Sequence, residues 1–376
     1  MNNRTCFAVA IGLLAAAAGL AQDAPAPTTT PTPVPAPAEP PAPTPAPPAG
    51  SAGNPTFFNP AIAVIGNFIG IAGHNPVDDQ PSLQVKESEI SFQAVVDPYA
   101  RADVFVAISN EGVELEEGFI TFLNLPADLL VKVGKFKAQF GKVNTLHPHL
   151  LPWADEPLPL INLLGGEEGW NDAGVSAARL FELPGNTFSE LTGQVFRGDV
   201  ENLFAAPSRG KLAWLGQYRV YRDLGDDHNL EVGGTYGEGF NGTSADARTS
   251  LQNAHLVYRW KPLQGRPNRS FIFRGEFFRS LRQQEGPSQI ATGYYVSGDY
   301  QLARRWFAGA RYEWAGRADD ASRHDRGEAA TLTFRPSEFS LIRGEFRRRR
   351  YAGGITANEG ILQVQYSIGA HGAHPF

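Results

Sequence analysis

From Pro55 to Phe376 apolar and polar residues alternate over stretches of about ten residues, each closed by turn-forming residues. Successive side chains of a strand point to opposite faces, so a period of two commits these stretches to β-strands and rejects amphipathic helices, whose period is 3.6. Leu362, Val364, Tyr366 and Ile368 fall on one face, with Gln363, Gln365 and Ser367 on the other. Ile90, Phe92, Ala94 and Val96 oppose Glu89, Ser91 and Gln93 in the same way. Around residues 210–222, Trp214, Tyr218 and Val220 oppose Lys211, Gln217 and Arg219, and around 305–314, Trp306, Tyr312 and Trp314 oppose Arg311 and Glu313.

Two architectures produce this pattern. A soluble sandwich points its apolar face inward, whereas a transmembrane barrel points it at lipid and leaves the polar face to a wet lumen. Arg, Lys and Glu stand in mid-strand on the polar faces, and Trp260, Trp306, Tyr312 and Trp314 fall near strand ends, where aromatic girdles form. A secretory leader and a C-terminal aromatic, Phe376, also fit a bacterial outer-membrane barrel. The expected fold is therefore an all-β, transmembrane antiparallel β-barrel over residues 56–376.

The rest of the composition excludes other classes. No run of about 18 apolar residues occurs outside the N-terminus, so membrane helices are not expected. A net charge of −6 argues against nucleic-acid binding. The single cysteine, Cys6, lies in the leader, which leaves no disulfide or thiolate metal site. Residues 1–21 read as a signal peptide, with Arg4 before an apolar run from Phe7 to Leu20 and small residues at Gly19-Leu20-Ala21. Residues 22–55 are rich in Pro and Ala, cannot form a ladder, and are expected to be a disordered periplasmic linker.

Counting the alternating stretches gives about sixteen strands, an even number as bacterial barrels require. Even-numbered strands should end in tight turns such as Asp97-Pro98-Tyr99 and Leu302-Ala303, and the opposite connections should be longer. The longest connection, 141–172, is too apolar to float in water and is expected to fold into the lumen as a constriction. It carries Asp155, Glu156, Glu167 and Glu168, facing a basic wall of Lys135, Lys137, Arg219, Arg259, Arg274, Arg311, Arg343 and Arg347. Acidic loop against basic wall would set up a transverse field across the pore. The Arg-x-Glu pairs Arg274/Glu276, Arg311/Glu313 and Arg343/Glu345 offer an alternative use for these charges in lumen salt bridges, while Lys135 and Lys137 lack an acidic neighbour on their own strand face. His147 and His149 could bind a divalent metal, although Pro148 between them disfavours chelation. No cofactor and no catalytic constellation are expected; a Gly-x-Ser-x-Gly motif is absent.

Val131-Lys132-Val133-Gly134-Lys135-Phe136-Lys137, His147-Pro148-His149, Asp172-Ala173-Gly174-Val175 and Val257-Tyr258-Arg259-Trp260-Lys261-Pro262 resemble the phosphate-selective porin-like outer-membrane family. The ending Ser367-Ile368-Gly369-Ala370-His371 to Pro375-Phe376 is similar to a subgroup described as zinc-regulated outer-membrane proteins. The resemblance implies a sixteen-stranded, trimeric channel in the cell outer membrane, with lipid and small solutes or inorganic anions as partners and passive, anion-preferring diffusion as its function. The family's phosphate-binding arginine ladder cannot be placed on this chain residue by residue. A structural envelope-anchoring barrel with a plugged lumen, and a zinc-uptake channel built on the His-bearing loop, are the competing expectations.

Overall fold

The structure, a computed structural model, describes residues 60–110, 112–206, 208–263, 265 and 268–369. The expected leader and the whole of the proline-rich arm, together with the tail from Ala370 to Phe376, lie outside the described residues.

Among the described residues sixteen strands close into one barrel in which every neighbouring pair is antiparallel and β1 pairs with β16. The first eight are β1 (Ala61–His74), β2 (Leu83–Asp97), β3 (Ala100–Ser109), β4 (Gly112–Leu125), β5 (Leu129–Lys137), β6 (Asn171–Leu183), β7 (Thr187–Phe196) and β8 (Ala213–Asp223). The second eight are β9 (His228–Phe240), β10 (Arg248–Trp260), β11 (Phe271–Arg282), β12 (Gln289–Ala303), β13 (Trp306–Gly316), β14 (His324–Ser337), β15 (Ser340–Arg350) and β16 (Thr356–Gly369). Closure leaves no unpaired edge, which a sheet immersed in hydrocarbon cannot tolerate.

The alternation sorts cleanly onto the two faces. On β15 Leu341, Arg343, Glu345, Arg347 and Arg349 are buried inside, while Ile342, Phe346 and Arg348 point out. On β10 Thr249, Leu251, Asn253 and His255 point in, and Ala254 and Leu256 point out. Aromatic side chains gather near both rims of the outer face. Trp214 with Tyr236 and Tyr294 with Trp314 lie toward one rim, and Trp306 with Phe334 toward the other. This arrangement matches an apolar band bounded by interfacial girdles.

Connections alternate in length. Even-numbered strands end in short turns, of which Asp97 to Ala100, Ala303 to Trp306 and Ser337 to Ser340 are the tightest, while 138–170 and 197–212 follow odd-numbered strands. Two connections break the trend: 110–111 is short and 261–270 is long. In the turn between β6 and β7, Gly185 and Asn186 both adopt positive φ, which glycine and asparagine tolerate best.

The hydrophobic core sits inside the barrel. Phe136, Phe140, Trp153, Leu160, Leu163, Leu164 and Trp170, from the end of β5 and the segment after it, pack against Phe196, Leu215, Phe278 and Tyr295 of the wall and Phe204 of the 197–212 connection. β5 ends at Lys137, because Ala138 and Phe140 leave the ladder to enter this core.

Candidate functional site

The segment 138–170 crosses the lumen and touches the wall on two sides. It contains the short 3₁₀ turns Val143–Thr145 and Pro148–Leu150 and one helix, α1 (Leu158–Leu163). Its backbone is held by three wall carboxylates. Glu276 accepts the N–H groups of Lys142 at 3.0 Å and Val143 at 2.7 Å. Glu345 accepts Ala154 N–H at 2.9 Å, and Glu313 accepts Leu158 N–H at 3.1 Å. These are the glutamates of the three Arg-x-Glu repeats, so the repeat encodes acceptors for a segment that has few backbone partners of its own. Gly141, with φ 68°, permits the approach: a Cβ there would lie 2.2 Å from Glu276 Oε2.

The wall arginines fasten the same segment. Arg311 donates to Asp155 Oδ1 at 2.6 Å, and Arg347 and Arg349 each reach Oδ2 at 2.7 Å. Arg343 donates to Trp153 O at 2.7 Å, and the Arg311 guanidinium stacks 4.7 Å from the Trp153 ring centroid. Burial raises the Asp155 pKa, but Arg311, Arg349 and Arg347 together hold it well below the usual carboxylate range. Only 3% of Arg311 and 3% of Arg343 is exposed, so they clamp the segment instead of lining open water. Of the three Arg-x-Glu repeats, Arg311 pairs with its own Glu313 at 3.1 Å, whereas Arg274 pairs with Asp299 at 2.5 Å.

The opposite side of the segment faces β2 and β4, where two β-bulges change which side chains point inward. Asn67 pairs with Glu87 and Phe68 with Val85, which leaves Lys86 as an extra residue. Phe105 pairs with Glu117 and Val106 with Leu115, which leaves Glu116 extra. Glu116 and Glu117 are consequently both buried. They enclose His147 together with Glu89: Nδ1 lies 2.8 Å from Glu89 and 3.1 Å from Glu116, and Nε2 lies 3.0 Å from Glu117. His149 Nδ1 lies 3.1 Å from Glu87. Burial disfavours imidazolium at His147, yet the close carboxylates Glu116, Glu117 and Glu89 win and raise its pKa well above the ordinary histidine value.

Two cavities flank this cluster. One, of about 410 Å³ at the long-connection rim, is lined by Glu87, Glu114, Glu156, Glu167 and Glu168 against a single cation, Lys86. The other, of about 460 Å³ toward the short-turn rim, is lined by Arg101, Lys132, Lys137, Lys142 and Arg219 against Asp103, Glu117 and Glu231. Charge is thus separated along the barrel axis, from an acidic mouth to a basic vestibule. Asp155 meets Arg311, Arg347 and Arg349 in direct contact and not across open water, so the expected transverse field cannot run between these groups.

The remaining expected residues fall as follows. Lys137 is buried, 3.9 Å from both Glu116 and Glu168, and Glu167 pairs with Lys86 at 2.6 Å. Arg219 pairs with Glu190 at 2.9 Å, and Arg259 lies 3.6 Å from Glu231. Lys135 is a correction. It pairs with Ala173, next to outward-facing Val175 (48% exposed), so it sits on the outer face and binds Glu114 at 3.0 Å. The alternation already carried this result, since Lys135 shares its face with Val131 and Val133. Both lysines also find acidic partners across the ladder, on β4, which inspection of their own strand could not reveal. Lys86, Glu87, Glu116 and Glu117 were not singled out from sequence; the signal for Glu116 was the break in alternation at Glu114-Leu115-Glu116-Glu117.

No protein-family model matches the chain. A protein of Aquifex aeolicus (strain VF5) described as uncharacterized is 26% identical over 346 residues, spanning 81% of this chain and 72% of that protein. Three solved structures share the fold at low identity. The anion-selective porin from Comamonas acidovorans superposes with a TM-score of 0.57 at 9% identity, over 82% of this chain and 99% of that one. The outer membrane channel DcaP of Acinetobacter baumannii gives 0.54 at 12%, over 82% and 96%. The trimer form of OmpT, an outer membrane protein of Vibrio cholerae, gives 0.53 at 10%, over 82% and 100%. The chain therefore has the porin-type sixteen-stranded barrel fold.

Proposed function

We propose that the chain is an outer-membrane channel for passive diffusion of small hydrophilic solutes, with the segment 138–170 as its constriction. The observation that carries the reading is the pairing of an apolar outer face with a lumen that holds two charged cavities on either side of that segment. In this orientation the short turns face the periplasm, and the acidic mouth opens outside the cell. The arginines on which an anion preference would rest are largely engaged with the segment. Buried carboxylates Glu87, Glu89, Glu116 and Glu117 stand between the two cavities, so cations are expected to pass more readily than anions. The basic vestibule, with Arg101, Lys132, Lys142 and Arg219, is where an oxyanion such as phosphate would dwell, in line with the family resemblance. Homotrimeric assembly, as in the trimer form of the Vibrio cholerae protein, is the expected state in the membrane.

Single-channel recording in a planar bilayer tests the reading. Stepwise open conductance is expected, with a reversal potential in a KCl gradient that has the sign of cation preference. A folded barrel that never conducts would sink it, and would favour a plugged structural barrel. The internal apolar core of Phe140, Trp153, Leu163 and Trp170 is the feature that supports this second reading.

A further inference from the structure

The buried cluster around His147 holds more carboxylates than cations. Four buried carboxylates, Glu87, Glu89, Glu116 and Glu117, surround two imidazoles, and Lys137 approaches Glu116 only to 3.9 Å. Glu89 Oε2 and Glu116 Oε2 are both buried without a hydrogen-bond partner, and both are directed at the same ring nitrogen, His147 Nδ1. One ring N–H can serve one carboxylate, so a proton cannot satisfy both oxygens.

We propose that His147 Nδ1, Glu89 Oε2 and Glu116 Oε2 form a binding site for a first-row divalent cation of the zinc type. The three donors lie within 4.8 Å of one another, and Nδ1 stands 2.8 and 3.1 Å from the two oxygens. Ligands at about 2.1 Å from an ion stand roughly 3.0 to 3.4 Å apart, so the cluster needs only slight expansion to receive one. The second shell is present as well. Glu117 lies 3.0 Å from His147 Nε2, where it accepts the proton of that nitrogen and leaves Nδ1 to the metal, the arrangement that orients metal-binding histidines. A mixed imidazole and carboxylate set selects zinc and its neighbours over the purely oxygen-seeking calcium and magnesium. The site borders both cavities: Glu87 and Pro148 line the acidic mouth, and Glu117 and His147 line the basic vestibule. An ion there is reached from the side whose carboxylates attract cations.

The site rests on side-chain geometry and not on the channel reading, so binding is measured in detergent, where a non-conducting barrel still reports. The untagged full chain is folded in micelles, stripped with EDTA, dialysed against Zn²⁺ and analysed for bound metal. One zinc per chain is expected; none on a barrel that shows heat-modifiable migration would overturn the site. Glu89→Gln with Glu116→Gln should abolish the stoichiometric zinc, and Glu117→Gln should weaken it by about 10- to 100-fold. Undiminished binding in the double variant would overturn the proposal. X-ray absorption of the zinc-loaded wild-type chain needs no variant to fold: one nitrogen among oxygen donors is expected, and an all-oxygen shell would remove His147 from the site.

Discussion

The two sides of the segment 138–170 use the same chemistry to opposite ends. Toward β11–β16, carboxylates meet guanidinia directly and Glu276, Glu313 and Glu345 accept backbone N–H groups, with Glu345 Oε1 and Arg311 Nε among the buried atoms left without a hydrogen-bond partner. Toward β2 and β4, carboxylates outnumber cations, two oxygens lack hydrogen-bond partners, and cavities open on either side. A satisfied network rigidifies a structure, whereas an unsatisfied one costs stability and is retained where something else binds. The comparison identifies β11–β16 as the anchor of the segment and β2–β4 as the side on which the proposed passage and ion site lie.

The largest effect is expected from breaking the anchor. Asp155→Asn leaves three buried guanidinia without their common partner, which should destabilise the loop by about 3–5 kcal/mol and enlarge the conductance as the segment loosens. Thermal unfolding in detergent and single-channel recording read the two consequences, and an unchanged conductance with normal stability would show that Asp155 does not fasten the segment. Glu276→Gln tests a smaller part of the same anchor. It weakens two charge-assisted bonds from Lys142 and Val143, each worth about 1.5–3 kcal/mol, and should lower the melting temperature less than Asp155→Asn does.

The acidic side should answer to pH, where the anchor does not. Burial pushes the Glu156 carboxyl up to about 7; Lys86 opposes this, and Glu167 and Asp155 reinforce it. A raised carboxyl is neutral below that value, so its favourable contribution to folding is present at low pH and fades as pH rises through about 7. The same step adds negative charge to the mouth. Cation preference should therefore increase between about pH 5.5 and 8.5, and reversal potentials should lose that change in Glu156→Gln. The smallest effect is expected at Lys135. Its exposed pair with Glu114 is worth less than about 1 kcal/mol, and Lys135→Glu should leave the melting temperature nearly unaltered. Lys137→Glu, at the edge of the His147 cluster, should shift ion selectivity.

Much of this molecule was legible as a line of residues, for a reason specific to strands. A period of two is local, so each stretch announced its own faces, and antiparallel closure needs only even number and short turns. The sixteen strands and the alternation of short and long connections could be read in this way. What tertiary structure alone decided were the partnerships. The Arg-x-Glu repeats looked like same-strand ion pairs, but their glutamates cap a distant backbone, and their neighbouring arginines converge on one aspartate more than 150 residues away in sequence. Lys86 and Glu116 enter the lumen rim only because bulges insert one residue against its partner strand, a register event that no single strand encodes. His147 was visible as a candidate ligand, but its carboxylate companions come from β2 and β4. Burial and pairing depend on what lies across the lumen, and that is set by closure of the barrel, not by the order of residues along any strand.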